Sequence, residues 1–405
     1  MPERDFRGKT AIAGIGYGRS PQAPGAFTTN SGVSVLTLAV RATKEACEDA
    51  GIDPKELDGV VSFQLNDSVP PSSVLTALGC PKINYSSDLN GGGEYASFAI
   101  VQAAQAVYHG ISNYCLVYRA MNGRSGVRMG QLGEGTGAGT GRVGGAGQFT
   151  SIYGLAGPPS FFAFQAQRYM ALYKVTSLDF ANFCINRRTN ATNNPRAAMR
   201  QPLTIEEHQS SRMIVHPYHL LDCCLETDVA CAMVITTTER VRHLKKKTVT
   251  ISAGMGASSF ADEIIDTGLI HIGPRILKAA GIKLKDIDIF EPYDNFTDCP
   301  MRLIEDMGWC KRGQAKDFIK DGRTSLDGEL PILTQGGLTN EGYCHGLNNA
   351  LEAVQQLRGE AEDLCPDWRN GSHTYDRNIC RQVRNPEIAL HCGVTGGSAI
   401  IFRRE

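Results

Sequence analysis

Two tyrosines in segments rich in glycine, proline and asparagine are the residues of this chain best suited to acid-base chemistry. Tyr293 lies in segment 290–296 (FEPYDNF), and Tyr343 ends segment 336–343 (GGLTNEGY). A phenol hydroxyl donates or accepts a proton, and two of them facing one bond suit a reaction that needs one base and one acid. A lone tyrosine would more simply be a half-buried residue whose hydroxyl satisfies a backbone group. If both lie at one site, they would suit proton transfer.

Composition and charge exclude several classes of function. Of the 405 residues, 42% are hydrophobic and 20% charged, as in an average globular protein. The formal net charge of -1 leaves no basic excess for nucleic acid or an anionic membrane. The thirteen cysteines include no Cys-x-x-Cys pair, so we expect buried thiols and no metal. The charged N-terminus does not resemble a secretory signal, and we expect a cytoplasmic protein.

An internal repeat gives the best indication of architecture. The segment 50–58 (AGIDPKELD) recurs at 280–288 (AGIKLKDID) with five identical positions. Each copy follows an amphipathic helix, predicted over 35–49 and 268–279, and precedes an apolar strand. Gly51 and Gly281 are suited to end these helices in the left-handed conformation. The alternation of strands and helices in both halves predicts an α/β fold with mostly parallel sheets covered by helices.

A glycine-rich segment separates these halves. Residues 122–147 hold eleven glycines together with Arg124, Arg128 and Arg142. So few apolar side chains cannot pack a core, which predicts a mobile surface loop. The run GTGAGTG at 135–141 lacks the strand-to-helix context of a dinucleotide fingerprint. The arginines are suited to meet phosphates, but such residues are more often only solvated. Helices are predicted over 160–172 and 177–190, and a strand over 230–236.

Several ordered motifs resemble the thiolase superfamily, and within it the sterol-carrier and lipid-transfer-protein-like branch. They are, in order, NATNNPRA at 190–197, SRMIVHP at 211–217, LLDCC at 220–224, GGL at 336–338, QLRG at 356–359 and HCGVTGG at 391–397. The resemblance covers nearly the whole chain. It implies duplicated βαβ halves in an α-β-α-β-α arrangement of layers, with a loop domain inserted in the first half.

The resemblance also implies domain boundaries, partners and ligands. We expect an N-terminal half over 1–121 and 222–248, an inserted loop domain over 122–221 and a C-terminal half over 249–405. A homodimer would form through the N-terminal half, and the loop domain would bind a CoA thioester. We expect no cofactor in this chain, because CoA is part of the substrate.

The resemblance identifies three departures from the chemistry of a thiolase. Gly93, in the segment 90–100 (NGGGEYASFAI), stands at the position of the nucleophilic cysteine. Tyr343 replaces the histidine that activates that cysteine, and Tyr293 replaces the histidine of the His-Asp-x-Phe motif. Together these changes disable covalent thiolysis. A degenerate thiolase kept as a lipid or acyl-CoA carrier is one reading, and a thiolase or acyltransferase that uses Cys392 is another.

Retro-aldol cleavage of a β-hydroxyacyl-CoA is the reading that we favour, because it needs a base and an acid but no nucleophile. The enolate oxygen would be stabilised by backbone N–H groups of Gly91 to Gly93 or of the Gly393 to Gly397 turn. The absence of a side chain at Gly93 would make room beside the reacting centre. An unperturbed tyrosine with a pKa of about 10 is ionised only about one part in 10³ at pH 7. The basic tyrosine therefore needs help; we favour Tyr293 as base and Tyr343 as acid, and leave the reverse open.

This variant resembles the bacterial steroid side-chain aldolases of the lipid-transfer-protein-like branch. The resemblance implies a 17-hydroxy-3-oxo-pregnene-20-carboxyl-CoA that yields a 17-ketosteroid and propionyl-CoA in steroid degradation. It also implies a small OB-fold partner, often with a zinc ribbon, in an α2β2 heterotetramer. The residues alone support only β-hydroxyacyl-CoA cleavage.

Supporting roles fall to residues next to the tyrosines and in the C-terminal turn. Asp294 or His345 would relay charge to a tyrosine, and His345 would also orient a tyrosine or water. His391 and Cys392 lie at the family's C-terminal catalytic turn, which Gly397 closes. Cys392 would serve as an acid or a displaced nucleophile, although a buried cysteine is commonly inert.

Overall fold

The computed structural model describes residues 6–18, 27–126, 128, 147–150, 153–155, 157–243, 246–256, 262–361, 380–395 and 397–405. Their strands are β1 Thr10–Gly16, β2 Gly59–Gln64, β3 Tyr85–Asn90, β4 Cys115–Asn122, β5 Met213–Val215, β6 Tyr218–His219, β7 Asp228–Thr237, β8 Val249–Gly256, β9 Ile289–Pro292, β10 Ile388–Cys392 and β11 Ser398–Arg404. Their helices are α1 Val35–Ala50, α2 Pro71–Leu78, α3 Ala96–Tyr108, α4 Gly147–Thr150, α5 Gly157–Tyr173, α6 Ser177–Thr192, α7 Ile205–Ser210, α8 Thr238–Val241, α9 Leu269–Ala280, α10 Asp298–Met307, α11 Ala315–Phe318 and α12 Leu347–Arg358.

Nine strands form one sheet that contains the duplication. Its order is β3-β2-β4-β7-β1-β8-β11-β10-β9. The run β2-β4-β7-β1 and the run β9-β10-β11-β8 have the same pattern, with one parallel pair followed by two antiparallel pairs. The two runs meet where β1 pairs with β8. The predicted duplication of the fold is therefore confirmed.

The prediction of mostly parallel sheets is wrong. Only β2–β3, β2–β4 and β9–β10 are parallel among the described strands. β7 returns antiparallel to β4 after the insertion, and β11 follows β10 directly and pairs antiparallel with it. Neither of these connections is a helical crossover, so neither imposes a parallel pair.

The helices complete the layers on both faces of the sheet. α3 packs on β2, β4 and β7 of the first half and on β8 and β11 of the second, and it also contacts α12. α12 packs on β9, β10 and β11 and on β7. These two helices therefore lie between the halves, while α1 packs on β1, β7 and β4 and α9 packs on β8 and β11.

The repeated segments have the same local structure in both halves. Gly51 (φ 67°) ends α1 and Gly281 (φ 70°) ends α9, both in the left-handed conformation. A short 3₁₀ turn follows each glycine, at 54–56 and 284–286, and leads into β2 or β9. The helix ends predicted from the repeat are confirmed to within one residue.

The segment between β4 and β7 supplies α4 to α7 and the β5–β6 hairpin. The predicted helices over 160–172 and 177–190 correspond to α5 and α6. Most of the glycine-rich segment, including Arg142, lies outside the described residues, and so does Gly396. The proposed boundaries at 122, 222 and 249 remain predictions.

The described cysteines all carry free thiols, and each of them is buried or partly buried. A search of the described helices finds none with the length and apolar character that a membrane span requires.

Candidate active site

A cavity of about 760 Å³ lies where the insertion meets both halves of the fold. This volume is in the range of pockets that bind small organic ligands. Its buried end is formed by Gly93, Tyr293, Tyr343 and His345. The rest of its wall is largely apolar and comes mainly from the insertion, with Pro158, Pro159, Phe162, Met199, Met213, Ile214, Leu220, Leu221, Cys223, Cys224, Leu225 and Phe296.

The two tyrosines predicted from sequence meet at this buried end. Their hydroxyl oxygens are 2.6 Å apart. The backbone fixes both residues, because Tyr293 N–H donates to the Cys392 carbonyl at 2.8 Å and Tyr343 N–H donates to Thr227 Oγ1 at 3.0 Å. A hydroxyl pair at this distance can pass a proton from one oxygen to the other.

Burial decides the ionisation of the tyrosine pair. It raises the pKa of both hydroxyls well above the ordinary value of 10. For Tyr343, the hydrogen bond with Tyr293 and the charge of Arg119 oppose this rise in pKa. For Tyr293, the same hydrogen bond and the electrostatic influence of Tyr343 add to it. Of the two hydroxyls, Tyr343 is the one on which the positive charge of Arg119 acts to lower the pKa.

Gly93 leaves the space that the Tyr293 ring occupies. A Cβ built on Gly93 would overlap Cε2 and Cζ of Tyr293 and would lie 2.6 Å from its Cδ2. The expectation that Gly93 makes room for the reacting centre is thus corrected, because the tyrosine ring takes up the room. The glycine at position 93 and the tyrosine at position 293 therefore depend on each other, because the ring fills the space that a side chain at position 93 would need.

His345 lies beside the pair, with its ring centroid 4.7 Å from that of Tyr343. Its Nδ1 faces two nitrogens of Arg119, Nε at 3.0 Å and Nη2 at 2.7 Å. Arg119 in turn forms an ion pair with Asp67 at 2.5 Å. Burial and then the Arg119 charge lower the pKa of His345 to about 3, so the imidazole is neutral at physiological pH.

Asp294 lies behind the cavity wall and anchors it. Its carboxylate binds Arg187 of α6 at 2.9 Å and accepts the Leu338 N–H at 3.0 Å. Burial raises the pKa of this carboxyl to about 6, although Arg187 opposes the rise. The structure gives Asp294 no hydrogen bond to either tyrosine hydroxyl, so it holds the GGL segment in place and does not fit the predicted role of charge relay.

Comparisons with known proteins agree with this arrangement. Residues 252–371 match the family described as thiolase C-terminal domain-like. The chain is 37% identical over 365 residues to the 17-hydroxy-3-oxo-4-pregnene-20-carboxyl-CoA lyase of Mycobacterium tuberculosis, covering 87% of this chain and 92% of that protein. It is 38% identical over 374 residues to the steroid side-chain-cleaving aldolase of Thermomonospora curvata, covering 90% and 94%.

The chain belongs to the thiolase-like steroid side-chain aldolases.

A solved structure of this aldolase family, the Ltp2-ChsH2(DUF35) aldolase, superposes with a TM-score of 0.84 at 33% identity and covers 99% of both chains. An acetyl-CoA acetyltransferase from Syntrophomonas wolfei has a TM-score of 0.67 at 16% identity, and this similarity concerns the fold alone. The predicted resemblance and fold are confirmed.

The described residues of the C-terminal turn do not line the cavity. His391 Nδ1 lies 2.6 Å from the Glu291 carbonyl, and its Nε2 is enclosed without a partner among the described residues. Burial lowers the pKa of His391 to about 4 and raises the pKa of the Cys392 thiol. Neither residue lines the cavity. A neutral buried thiol is a poor nucleophile, so the arrangement does not favour Cys392 as an acylation site.

Three of the predicted backbone donors are already used. Gly91 N–H donates to the Gln64 carbonyl, Gly92 N–H to the Glu94 carboxylate and Gly393 N–H to the Ser398 carbonyl. Gly397 (φ 75°) approaches the backbone of Gly268, where a Cβ would lie 3.0 Å from Cα, so its role is steric. The Gly93 N–H has no partner among the described residues and begins the turn that leads into α3.

Sequence reasoning missed several residues of this aldolase site. Glu94 lines the cavity beside the tyrosines, and its carboxylate accepts the Gly92 N–H at 3.3 Å. Its place directly after the glycine of the nucleophile position was an available signal. Arg119 and Asp67 had no local signal, because they come from β4 and from the loop after β2. Arg128 and Arg124 pair with Glu226 at the exposed end of the cavity, at 2.5 and 3.8 Å.

A buried cluster of Cys184, His208 and Asp222 is the one group of possible metal ligands found among the described residues. The Arg187 guanidinium donates to Cys184 Sγ at 3.2 Å, and Thr297 Oγ1 donates to Asp222 Oδ1 at 2.9 Å. A cation would meet the positive charge of Arg187 at this place. The cluster therefore fits an internal ion-pair network better than a metal site.

Proposed function

We propose that this chain catalyses retro-aldol cleavage of a β-hydroxyacyl-CoA thioester. The substrate we propose is a 17-hydroxy-3-oxo-4-pregnene-20-carboxyl-CoA, and the products are a 17-ketosteroid and propionyl-CoA. The observation that carries the proposal is the 2.6 Å contact between the Tyr293 and Tyr343 hydroxyls at the buried end of an apolar cavity. Similarity to lyases and aldolases over most of the chain supports the same reaction.

The reaction moves one proton and needs no co-reactant. The β-hydroxyl proton passes to the Tyr343 oxygen, the Tyr343 proton passes to Tyr293, and the Tyr293 proton reaches the α carbon of the thioester. The electron pair of the Cα–Cβ bond moves onto the thioester oxygen as the bond breaks, and it returns to Cα on protonation. Each tyrosine gives one proton and receives one. Because burial raises the pKa of both, a relay through neutral hydroxyls fits better than a resting tyrosinate.

This order of transfer reverses the preference drawn from sequence. Tyr343 accepts the first proton, because the positive charge of Arg119, behind the neighbouring His345, stabilises negative charge on its oxygen. Tyr293 then faces the α carbon as the donor.

The lining of the cavity supports the proposal that the substrate carries a bulky apolar ring system. Phe162 of α5 and Phe296 stack in a tilted arrangement with centroids 5.1 Å apart, and both line the cavity. Apolar walls with few polar groups are typical of sites that bind such ligands. The exposed end, with Arg124 and Arg128, leads away from the tyrosines and suits the CoA portion.

We also propose that the chain acts as a homodimer with a small OB-fold, zinc-ribbon partner in an α2β2 assembly in the cytoplasm. The Ltp2-ChsH2(DUF35) aldolase has a second component, and this supports a small partner for the present chain. β3 is an edge strand of the sheet, so its unpaired side can contact a second copy of the chain. Light scattering of the chain, alone and co-expressed with a DUF35 protein, tests this assembly; a monomer in both samples would contradict it.

The proposed reaction is tested by incubating the full chain and its co-expressed partner with the steroid thioester carrying an ¹⁸O-labelled β-hydroxyl. We expect equal amounts of ketosteroid and propionyl-CoA, with ¹⁸O retained in the ketone after rapid quenching and no mass added to the chain. Binding of the thioester without products would favour a carrier. An acyl adduct that appears at the rate of turnover would favour a thiolase.

A further inference from the structure

We infer that His345 is the side-chain hydrogen-bond donor to the thioester oxygen of the substrate, and that Arg119 and Asp67 hold its proton on the nitrogen that faces the cavity. This inference rests on the proposed function, since cleavage of the Cα–Cβ bond places negative charge on that oxygen.

The contacts with Arg119 fix the position of the proton on the imidazole. Arg119 Nε and Nη2 both point at His345 Nδ1, at 3.0 and 2.7 Å. A guanidinium group has only donors, so Nδ1 must accept and cannot carry a proton. In the neutral ring the proton is therefore on Nε2. His345 can donate from that nitrogen and cannot act as a base there.

The charge behind His345 is balanced, which keeps the arrangement stable in a buried place. Arg119 is fully buried, and it also donates from Nη1 to the Ala120 carbonyl at 2.7 Å and pairs with Asp67. The charged and titratable groups near His345 are Arg119 from β4, Asp67 from the loop after β2, Tyr343, and Glu94, whose carboxylate lies on the Gly92 side of the ring. The low pKa of His345 is consistent with a ring that stays neutral throughout the working range.

The free nitrogen opens onto the cavity. His345 is part of the cavity wall, and its Cδ2, which is bonded to Nε2, lies 3.6 Å from where a Cβ on Gly92 would stand. Among the described residues, Nε2 of His345 has no hydrogen-bond partner. It also differs from the fully enclosed polar atoms that lack a partner, because it is not enclosed. It therefore has open space in front of it, on the side of the ring that lines the cavity.

The backbone at His345 is held in a conformation that few residues adopt. Its φ is +49°, in the left-handed region that is uncommon outside glycine. Such strain persists where the surrounding structure fixes it, and it gathers at functional sites. Here the conformation directs the ring between Arg119 and the cavity.

A neutral imidazole N–H suits this task. As the Cα–Cβ bond breaks, the electron pair reaches the thioester oxygen and the Nε2–H bond points at the growing charge. The pair then returns to Cα with the proton from the tyrosine relay, and His345 keeps its own proton throughout. A fixed donor of this kind stabilises the transition state without reorganising, and a neutral histidine in the role of electrophile has a precedent in other enolising enzymes.

The test uses a partial reaction that needs an enolate but no steroid: the α proton leaves through Tyr293 and Tyr343 to a water in the place of the ketone, and a deuteron returns by the same path. The full chain with its co-expressed partner is incubated with propionyl-CoA in D₂O, and deuterium entry at the α carbon is followed by mass spectrometry. Steroid cleavage is measured in parallel. We expect His345→Phe to lower both rates by about 10² to 10³, as for loss of one oxyanion donor, with a KM changed by less than about threefold. His345→Gln, whose side-chain amide still donates, should recover at least about tenfold of the loss.

A second variant tests the proton position without removing the histidine. The double variant Arg119→Met, Asp67→Asn removes both charges together. Nδ1 then loses its donors, the ring can be protonated nearer its ordinary pKa of about 6.5, and kcat should fall at least about tenfold and gain an acid-side inflection that the wild type lacks. An unchanged pH profile and rate would overturn the proposal.

The outcomes separate this inference from the proposed function. In one outcome, the wild type exchanges deuterium without cleaving the steroid, and His345→Phe loses that exchange. This result would support His345 as the donor and reject the proposed steroid substrate. Cleavage that is normal in His345→Phe would reject the donor and leave the retro-aldolase standing. A wild type that neither exchanges nor cleaves would reject both.

Discussion

At the scale of residues, Gly93 and Tyr293 share one space at the buried end of the cavity. An alanine at position 93 would overlap the tyrosine ring and force it to move. Overpacking of this kind costs about 1–3 kcal/mol, and a displacement of the hydroxyl by about 1 Å is enough to cost about 10² in rate. We expect Gly93→Ala to lose both stability and activity by these amounts, as measured by chemical denaturation and by product formation.

A double-mutant cycle shows whether the loss arises from this clash. With Tyr293→Ala already present, Gly93→Ala should cost almost nothing further in the free energy of unfolding, because the overlapping atoms are gone. An equal cost in both backgrounds would mean that Gly93 acts through something other than the tyrosine ring.

The tyrosine pair was accessible from sequence because each tyrosine lies in a motif with its own local pattern. Glu94 directly follows Gly93, and this position was a signal that the sequence offered. Arg119 and Asp67 reach His345 from β4 and from the loop after β2. Such convergence depends on strand order, so the residues that set the proton position of His345 could only be found in the structure.

At the scale of elements, a buried ion pair ties α6 of the insertion to the loop after β9. Arg187 and Asp294 are both fully buried and lie 2.9 Å apart. Removing one partner leaves the other charge unpaired in the interior, which costs about 3–5 kcal/mol. We expect Arg187→Met to lose about this much unfolding free energy in denaturant titration.

The matched control is Arg168→Met on the neighbouring helix α5. Arg168 also pairs with a carboxylate at 2.9 Å, but both side chains are nearly half exposed. Its loss should cost less than about 1 kcal/mol. Similar costs for the two variants would mean that the α6 contact does not hold the catalytic loop.

A second link, at the end of the insertion, depends on pH. His208 of α7 contacts Asp222, the first residue after the insertion, at 3.0 Å. Burial lowers the pKa of His208, but the hydrogen bonds and charges of Asp222 and Cys184 together outweigh burial and raise the pKa to about 10. The folded-state pKa exceeds the unfolded value of about 6.5, so the protonated form stabilises the fold fully below pH about 6.5 and this contribution is lost as the pH rises toward 10.

The difference in unfolding free energy between the wild type and His208→Gln measures this contribution. We expect the difference to be largest near pH 6 and to shrink steadily up to pH 10. Subtraction of the variant removes the titration of the many cysteines, which both proteins share. A difference that stays constant over this range would exclude a protonated His208 in the native state.

The positions of helices and strands were predicted better than the relative directions of paired strands. Helix ends at Gly51 and Gly281 follow from the conformational freedom of glycine, which is a local property. Whether β7 runs along or against β4 depends on the path through the insertion, and a strand pattern carries no information on that path. The assumption of parallel strands failed for this reason.

At the scale of the whole molecule, the cavity exists because the insertion closes over two duplicated halves. The tyrosines come from the second half, Gly93 and Arg119 from the first, and the apolar wall from the insertion. The resemblance to thiolases predicted this assembly, since the motifs occur in order along the chain. The volume and lining of the cavity were not predictable, because they depend on side chains from distant loops.

The central claim is that two tyrosines replace a covalent thiolase mechanism with a proton relay. The most direct measurement is kcat for steroid thioester cleavage by Tyr293→Phe and by Tyr343→Phe, each prepared with the partner. Tyr17→Phe is the control, because this buried hydroxyl donates to Gln355 at 3.3 Å and lies outside the cavity. We predict a loss of at least about 10² in kcat for each relay variant, with thioester binding retained and the control near the wild-type rate. Near-full activity in both relay variants would contradict the account.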